Sequence, residues 1–137
     1  MIVIDASALA KYILKEPKWE IIERYLVEYN VYSIDLIMKE VLNAVWKIAV
    51  IYKTIPIDIS LEKYQLVKKI IDNEIIVLEY EGKYLYKAFK IAIDNNITIY
   101  DALYIAQAMD HKASLLTSDD IQAKTGENLG IKVYLIT

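Results

Sequence analysis

Four acidic side chains lie far apart in the sequence, each at a position from which a carboxylate could take part in chemistry. Asp5 and Asp119 each follow a short apolar run, Asp101 opens a helical pattern, and Glu40 lies inside another. Carboxylates gathered from distant segments are the usual ligands of Mg²⁺ and Mn²⁺, because these cations prefer oxygen donors. The set therefore indicates metal-assisted phosphodiester chemistry.

Three of these acids also have a simpler explanation, because aspartate is common at the start of helices. Asp5 could cap the helix that follows it, Asp101 stands at the third position of a capping-box pattern, and Asp119 or Asp120 could cap a further helix. Glu40 sits a turn inside a predicted helix, where no cap is needed. Its alternative is an exposed glutamate in a surface ion pair, which is worth little.

The elements that must position these acids follow from the apolar pattern of the 137 residues, a length that fits one domain. Strands are predicted at 2–5, 31–33, 75–78, 115–117 and 132–136. Helices are predicted at about 6–15, 18–29, 35–53, 59–72, 82–94, 100–110 and 120–125. Strands that alternate with helices predict a parallel sheet with helices on both faces. In such sheets the site lies beyond the carboxyl ends of the strands, where Asp5 and Asp119 fall.

Composition excludes several other classes of site. The chain has no cysteine and one histidine, His111, which excludes disulfides, thiolate zinc sites and paired-histidine nucleases. The net charge of −3 is not that of a strongly basic nucleic-acid binder. Charges interrupt every apolar stretch, and the N-terminus lacks the basic region of a signal peptide. The sequence therefore predicts a soluble, cytoplasmic protein.

Four segments resemble, in order, the motifs of PIN-domain nucleases. They are IVIDASAL at 2–9, MKEVLN at 38–43, TIYDALYIA at 98–106 and LLTSD at 115–119. Each motif alone is weak, but their order and spacing agree across essentially the whole chain. A domain of this size is similar to the VapC-type toxins of toxin–antitoxin pairs.

The resemblance implies a PIN domain over 1–137, with a five-stranded parallel sheet between helices and a Mg²⁺ or Mn²⁺ cofactor. It also implies that the four acids form the metal-binding, catalytic centre. Two hydroxyl residues match positions that support the cluster or contact phosphate or water, and one further acid could share a role with its neighbour. The implied set is Asp5, Glu40, Asp101 and Asp119, with Ser7, Thr117 and Asp120 in support.

The implied reaction is hydrolysis of RNA by water rather than by the ribose 2′-OH, so it should leave a 5′-phosphate and a 3′-OH. Lysines such as Lys39 could contact phosphates, and Tyr100 and Tyr104 could stack on an unpaired base or pack in the core. The resemblance also implies a small antitoxin as partner. The apolar helix around 84–93 and the helices of Trp19 and Trp46 are expected to supply a homodimer surface and an antitoxin groove.

Three alternatives remain open at this stage. The chain could be a PIN nuclease of RNA maturation or quality control with no antitoxin. It could also be a PIN-like fold used only for binding, although all four acids are present. A phosphatase or receiver domain also places an aspartate after its first strand, but the Asp-x-Asp of such phosphatases is absent, because Ser7 stands two residues after Asp5.

Overall fold

In the computed structural model, which describes residues 1–137, the predicted apolar runs form one parallel sheet. Its strand order is β3-β2-β1-β4-β5, and every neighbouring pair is parallel. The central strand is fully buried, as expected of a continuous apolar run covered on both faces. The strands are β1 (Ile2–Ile4), β2 (Val31–Ile34), β3 (Ile76–Glu79), β4 (Ser114–Thr117) and β5 (Val133–Leu135).

Seven α-helices connect and cover these strands. None of them combines the length and apolar character that crossing a bilayer requires. They are α1 (Ala6–Ile13), α2 (Trp19–Glu28), α3 (Leu36–Trp46), α4 (Ile57–Asp72), α5 (Leu85–Asn95), α6 (Ile99–His111) and α7 (Asp120–Asn128).

The helices form a layer on each side of the sheet. On one side, the ring of His111 in α6 lies 5.5 Å from that of Tyr32 in β2. Helix α7 contacts β4 and β5, and α5 packs outside α6. On the other side, the ring of Tyr25 in α2 lies 5.1 Å from that of Tyr134 in β5. Helix α1 packs there against α2, α3 and α4. The predicted three-layer α/β architecture is therefore confirmed.

Three details differ from the pattern-based prediction. The helix predicted over 35–53 ends as an α-helix at Trp46 and continues as a π-helical turn over Lys47–Ile51, closed by the Tyr52 N–H donating to the Lys47 carbonyl at 3.0 Å. The first turn of the helix predicted over 82–94 is a 3₁₀ turn over Glu81–Tyr84. Strand β3 also runs one residue further than predicted, because the Asp35 N–H donates to the carbonyl of Glu79 at 2.9 Å.

The strand order reverses direction between β1 and β4, so the connections from these two strands leave to opposite sides. Such a switch point opens a crevice at the carboxyl edge of a parallel sheet. Asp5 directly follows β1, and Asp119 lies two residues beyond the end of β4. The fold therefore brings the first and fourth sequence motifs to the two sides of one crevice.

Candidate active site

The four acids meet at this crevice and form a gradient of exposure. Asp5 is buried, with 3% of its surface exposed. Glu40, in the second turn of α3, and Asp101, in the first turn of α6, are partly buried, whereas Asp119 is exposed. The crevice therefore combines one buried carboxylate with two that are partly buried and one that is exposed to solvent.

Asp5 is fixed by hydrogen bonds to both of its carboxylate oxygens. Its Oδ1 accepts from the Ala8 N–H at 3.0 Å, as a cap of α1, and from the Ser7 hydroxyl at 2.7 Å. Its Oδ2 accepts from the Thr117 hydroxyl. Burial raises the pKa of Asp5 to about 6, although these three hydrogen bonds oppose the rise and nearby Asp101 adds to it. The carboxylate is thus held in place at an electrostatic cost.

The two hydroxyls that serve Asp5 also join β4 to α1. The Ser7 hydroxyl accepts from the Ser118 N–H at 2.9 Å, and the Thr117 hydroxyl accepts from the Asp119 N–H at 3.1 Å. Each hydroxyl directs its proton to Asp5. In this arrangement Ser7 and Thr117 support Asp5.

Glu40 is held by a tyrosine of α6. The Tyr104 hydroxyl donates to Glu40 Oε1 at 2.6 Å, and the ring is buried with 1% exposure. Burial raises the pKa of Glu40, the hydrogen bond from Tyr104 lowers it, and the charges of Asp101 and Glu81 raise it again. Burial and the adjacent carboxylates also raise the pKa of the Tyr104 phenol, which therefore keeps its proton and acts as a hydrogen-bond donor.

Asp101 and Asp119 are linked through a glutamine that the sequence did not single out. The Gln122 N–H donates to Asp119 Oδ1 at 2.9 Å, so Asp119 caps α7, and the Gln122 side chain donates to the Asp101 carbonyl at 2.9 Å. The Asp101 N–H donates to the Thr98 hydroxyl at 3.2 Å, as the capping-box pattern predicted. Asp5 and Asp119 are therefore both helix caps and crevice acids, and one role does not exclude the other.

The acids repel one another. Burial and the charge of Asp119 raise the pKa of Asp101, and the charge of Asp101 contributes to the raised pKa values of both Asp5 and Glu40. A divalent cation would relieve this repulsion. No three acidic or histidine side chains stand close enough to share one ion directly. Because Mg²⁺ keeps several waters and takes only one or two carboxylates directly, this oxygen-only set fits such an ion with the remaining acids acting through water.

The lysines that could contact phosphates differ in location. Lys11 donates to the Pro17 carbonyl at 3.4 Å, and Lys15 lies 3.8 Å from the centre of the Trp19 ring, so both are engaged along α1 and α2. Lys39 is exposed beside Glu40 and lines a cavity there.

The two tyrosines of α6 also differ. Tyr104 is buried, as core packing predicts, whereas Tyr100 is 55% exposed.

A second polar cluster lies at the carboxyl end of β3. Glu79 Oε1 accepts from Gln107 at 2.8 Å, from Tyr84 at 2.8 Å and pairs with His111 Nε2 at 2.6 Å, while Oε2 pairs with Lys83 at 2.8 Å. Glu79 ends a strand just as Asp5 and Asp119 follow theirs. The same positional signal was present in the sequence, because the strand was predicted at 75–78 and Glu79 directly follows it.

A parallel sheet between helices, with carboxylates converging on its switch point, defines an α/β protein with an acidic centre. The family model of the PIN domain matches residues 2–128. The chain belongs to the PIN-domain family.

Its relatives agree with this assignment. The chain is 29% identical over 122 residues to Ribonuclease VapC3 of Pyrobaculum aerophilum, with 86% of this chain and 88% of that protein covered.

Solved structures share the fold at low sequence identity. The crystal structure of PAE2754 from Pyrobaculum aerophilum superposes with a TM-score of 0.71 at 19% identity, covering 96% of this chain and 87% of that one. VapBC2 from Rickettsia felis, solved bound to a DNA fragment from its promoter, gives a TM-score of 0.65 at 14% identity over 100% of both chains. FitAcB from Neisseria gonorrhoeae gives 0.57 at 16% identity, covering 98% of this chain and 96% of that one.

Proposed function

We propose that this protein is a metal-dependent endoribonuclease that acts as the toxin of a toxin–antitoxin pair. The observation that carries the proposal is that the charge of Asp101 couples to those of buried Asp5, Glu40 and Asp119, in a member of the PIN family. Its relative in Pyrobaculum aerophilum is named a ribonuclease of the VapC type, and the Rickettsia felis structure is of a VapBC complex. These likenesses support RNA as the substrate and a small antitoxin as the partner.

In this proposal the role of each of the four acids follows from its exposure to solvent. Asp5, fixed by Ser7 and Thr117, supplies a rigid carboxylate at the floor of the crevice. Glu40, Asp101 and Asp119 would hold the cation directly or through water. When bound, Mg²⁺ or Mn²⁺ would supply positive charge and an activated water for in-line attack on phosphorus.

Two further residues keep the acids in place. Tyr104 orients the Glu40 carboxylate through its hydrogen bond and favours its ionised form. Gln122 fixes the separation of Asp101 and Asp119, because it bonds to both. Asp120 is exposed on the first turn of α7, where its carboxylate could share the role of Asp119.

The exposed apolar surfaces support the proposed partners. Helix α5 carries Tyr86, Phe89 and Ile93 at 78%, 56% and 64% exposure, and we propose this stripe as the homodimer surface. Trp46 and Leu61 are exposed on α3 and α4, and we propose this second surface as the antitoxin groove. We further propose that residues 1–137 act as one domain in the cytoplasm, where the RNA substrate is found.

The test is cleavage of an end-labelled single-stranded RNA by the purified protein with Mg²⁺, with Mn²⁺ and with EDTA. We expect cleavage with either metal, none with EDTA, and products that carry a 5′-phosphate and a 3′-OH. Products ending in a 2′,3′-cyclic phosphate would contradict hydrolysis by water.

The toxin role is tested separately in cells. Expression should arrest growth. The proposal also expects an antitoxin gene beside this one, and co-expression of its product should restore growth. Cleavage of RNA without growth arrest would favour a nuclease of RNA maturation with no antitoxin.

A further inference from the structure

A cavity of about 310 Å³ opens beside the acidic centre, and apart from Glu40 its lining residues have no part in the proposed catalytic chemistry. One wall is a stripe of α3, in which residues at intervals of three and four share a face. The other wall is Tyr100, from the first turn of α6. The lining residues are Leu36, Lys39, Glu40, Asn43 and Tyr100.

The chemistry of this lining matches an unpaired nucleotide. Tyr100 offers an aromatic ring that is 55% exposed, although the residue adjoins the acidic centre. Asn43 is exposed and carries both a donor and an acceptor, which suits the edge of a base. Lys39 is exposed and takes part in none of the ion pairs within the chain, so its ammonium is free for a phosphate. A stacking ring, an amide and a cation are the groups by which proteins bind single-stranded RNA.

The cavity is also joined to the proposed site of cleavage. Glu40 lines it, and the Glu40 carboxylate is held by Tyr104 on the same helix as Tyr100. A base placed on Tyr100 would therefore position the adjoining phosphodiester close to the acids. We infer that this cavity is a binding subsite for one unpaired RNA base, with Tyr100 as its stacking platform; the inference rests on the proposed ribonuclease function.

If Tyr100 is the stacking platform, removal of its ring should selectively weaken the cleavage of single-stranded RNA. Stacking of a base on an aromatic side chain should make Tyr100→Ala about 5- to 100-fold weaker in kcat/KM on single-stranded RNA, mainly through a higher KM. Tyr100→Phe keeps the ring and should retain cleavage. Tyr52→Ala removes a tyrosine that is 61% exposed, lies just beyond the π-helical turn and does not line the cavity, and it should behave as the wild type.

The decisive experiment uses RNA in which each nucleotide in turn is made abasic. For the wild type, one abasic position should lower kcat/KM. The size of this decrease should equal the decrease that Tyr100→Ala causes on intact RNA. Tyr100→Ala should then be insensitive to the abasic change at that position, because the two changes remove one contact. Melting curves of each variant establish that the fold is retained.

The outcomes separate the subsite from the function. If the wild type and Tyr100→Ala cleave intact RNA equally well, the subsite is wrong and the ribonuclease proposal stands. An equal loss by Tyr100→Ala on intact RNA and on every abasic RNA would also overturn the subsite, since it would indicate a merely structural role. If the folded wild type cleaves no RNA with any metal, the proposed function fails and the subsite fails with it.

Discussion

At the scale of single residues, the acidic centre depends on a buried carboxylate whose ionisation opposes folding. Asp5 has a pKa raised from 3.8 to about 6 by burial, so the folded protein binds a proton that the unfolded chain would release between these values. The associated stability is present below the unfolded pKa and is lost as the pH rises through the folded pKa. In the metal-free protein at neutral pH, ionised Asp5 therefore costs about 3 kcal/mol.

Asp5→Asn should remove this cost. We expect the variant to have a higher free energy of unfolding than the wild type at about pH 7 in EDTA, by about 2 kcal/mol, and to lose the advantage at about pH 4. Urea denaturation at both pH values measures the difference, with exposed Asp94→Asn as the control. Mg²⁺ or Mn²⁺ should stabilise the wild type more than Asp5→Asn. Equal stability of the two proteins at both pH values would contradict the electrostatic account of Asp5.

Tyr104 belongs to the centre through its hydroxyl rather than its ring. Tyr104→Phe keeps the packing but removes the donor to Glu40, so the pKa of Glu40 should rise further. We expect the metal concentration for half-maximal cleavage to increase about 10- to 100-fold and the pH profile of cleavage to move to higher pH.

Tyr64→Phe, at an exposed position of α4, is the matched control for this prediction. An unchanged pH profile in Tyr104→Phe would show that the hydroxyl serves only to satisfy a buried polar atom.

At the scale of secondary-structure elements, the sequence predicted most of what the structure contains, for a definite reason. Short apolar runs such as Ile2–Ile4 could be predicted as strands, because a strand buried on both faces is apolar throughout. The caps at Thr98 and Asp119 mark the starts of helices. The π-helical turn over Lys47–Ile51 was not predictable, because it depends on one additional residue within a hydrogen-bonded turn rather than on a change in pattern. Glu79 was missed because its partners lie on other elements, which only the fold brings together.

Glu79 connects β3 to α6 and should dominate acid unfolding. Burial raises its pKa, but hydrogen bonds from Lys83, Gln107, His111 and Tyr84 outweigh burial and lower the pKa from 4.5 to about 2. A carboxylate with a lowered pKa stabilises the fold above its unfolded pKa, and this stability, about 3 kcal/mol, is lost as the pH falls from about 4.5 to about 2.

Glu79→Gln should therefore reduce the free energy of unfolding at neutral pH by about 2 kcal/mol and flatten its decline in acid. Chemical denaturation across this pH range measures both effects. Glu62→Gln, on an exposed position of α4, should change neither. If Glu79→Gln unfolds in acid with the same pH dependence as the wild type, the cluster is not the source of acid sensitivity.

At the scale of the whole molecule, the sheet order explains why acids that are far apart in sequence converge. Their arrival at one edge could be predicted, since strand ends of a parallel sheet share an edge. Their separation and exposure could not, because these depend on packing: Thr117 and Ser7 bury Asp5, whereas nothing covers Asp119. The sequence likewise predicted an apolar helix around 84–93, but only the fold showed that Tyr86 and Phe89 face outward.

The exposed stripe of α5 predicts how the molecule assembles. Phe89→Glu should convert the proposed dimer into a monomer, because a charge cannot be desolvated cheaply in an apolar interface. Light scattering coupled to size-exclusion chromatography measures the mass. Val27→Glu changes an apolar residue of α2 that is 79% exposed, and it should leave the dimer intact. A wild-type protein that is monomeric throughout the concentration range would remove the basis for this surface.

The central claim is that the acids of the crevice act together in metal-dependent cleavage of RNA. The most direct measurement compares cleavage rates of the wild type and of single carboxamide variants at saturating Mn²⁺, with an exposed acid outside the crevice, Asp94→Asn, as the control. Asp5→Asn, Glu40→Gln, Asp101→Asn and Asp119→Asn should each lower the rate by at least about 100-fold, and the control should not. Wild-type rates in Asp5→Asn, or cleavage that persists in EDTA, would contradict the account.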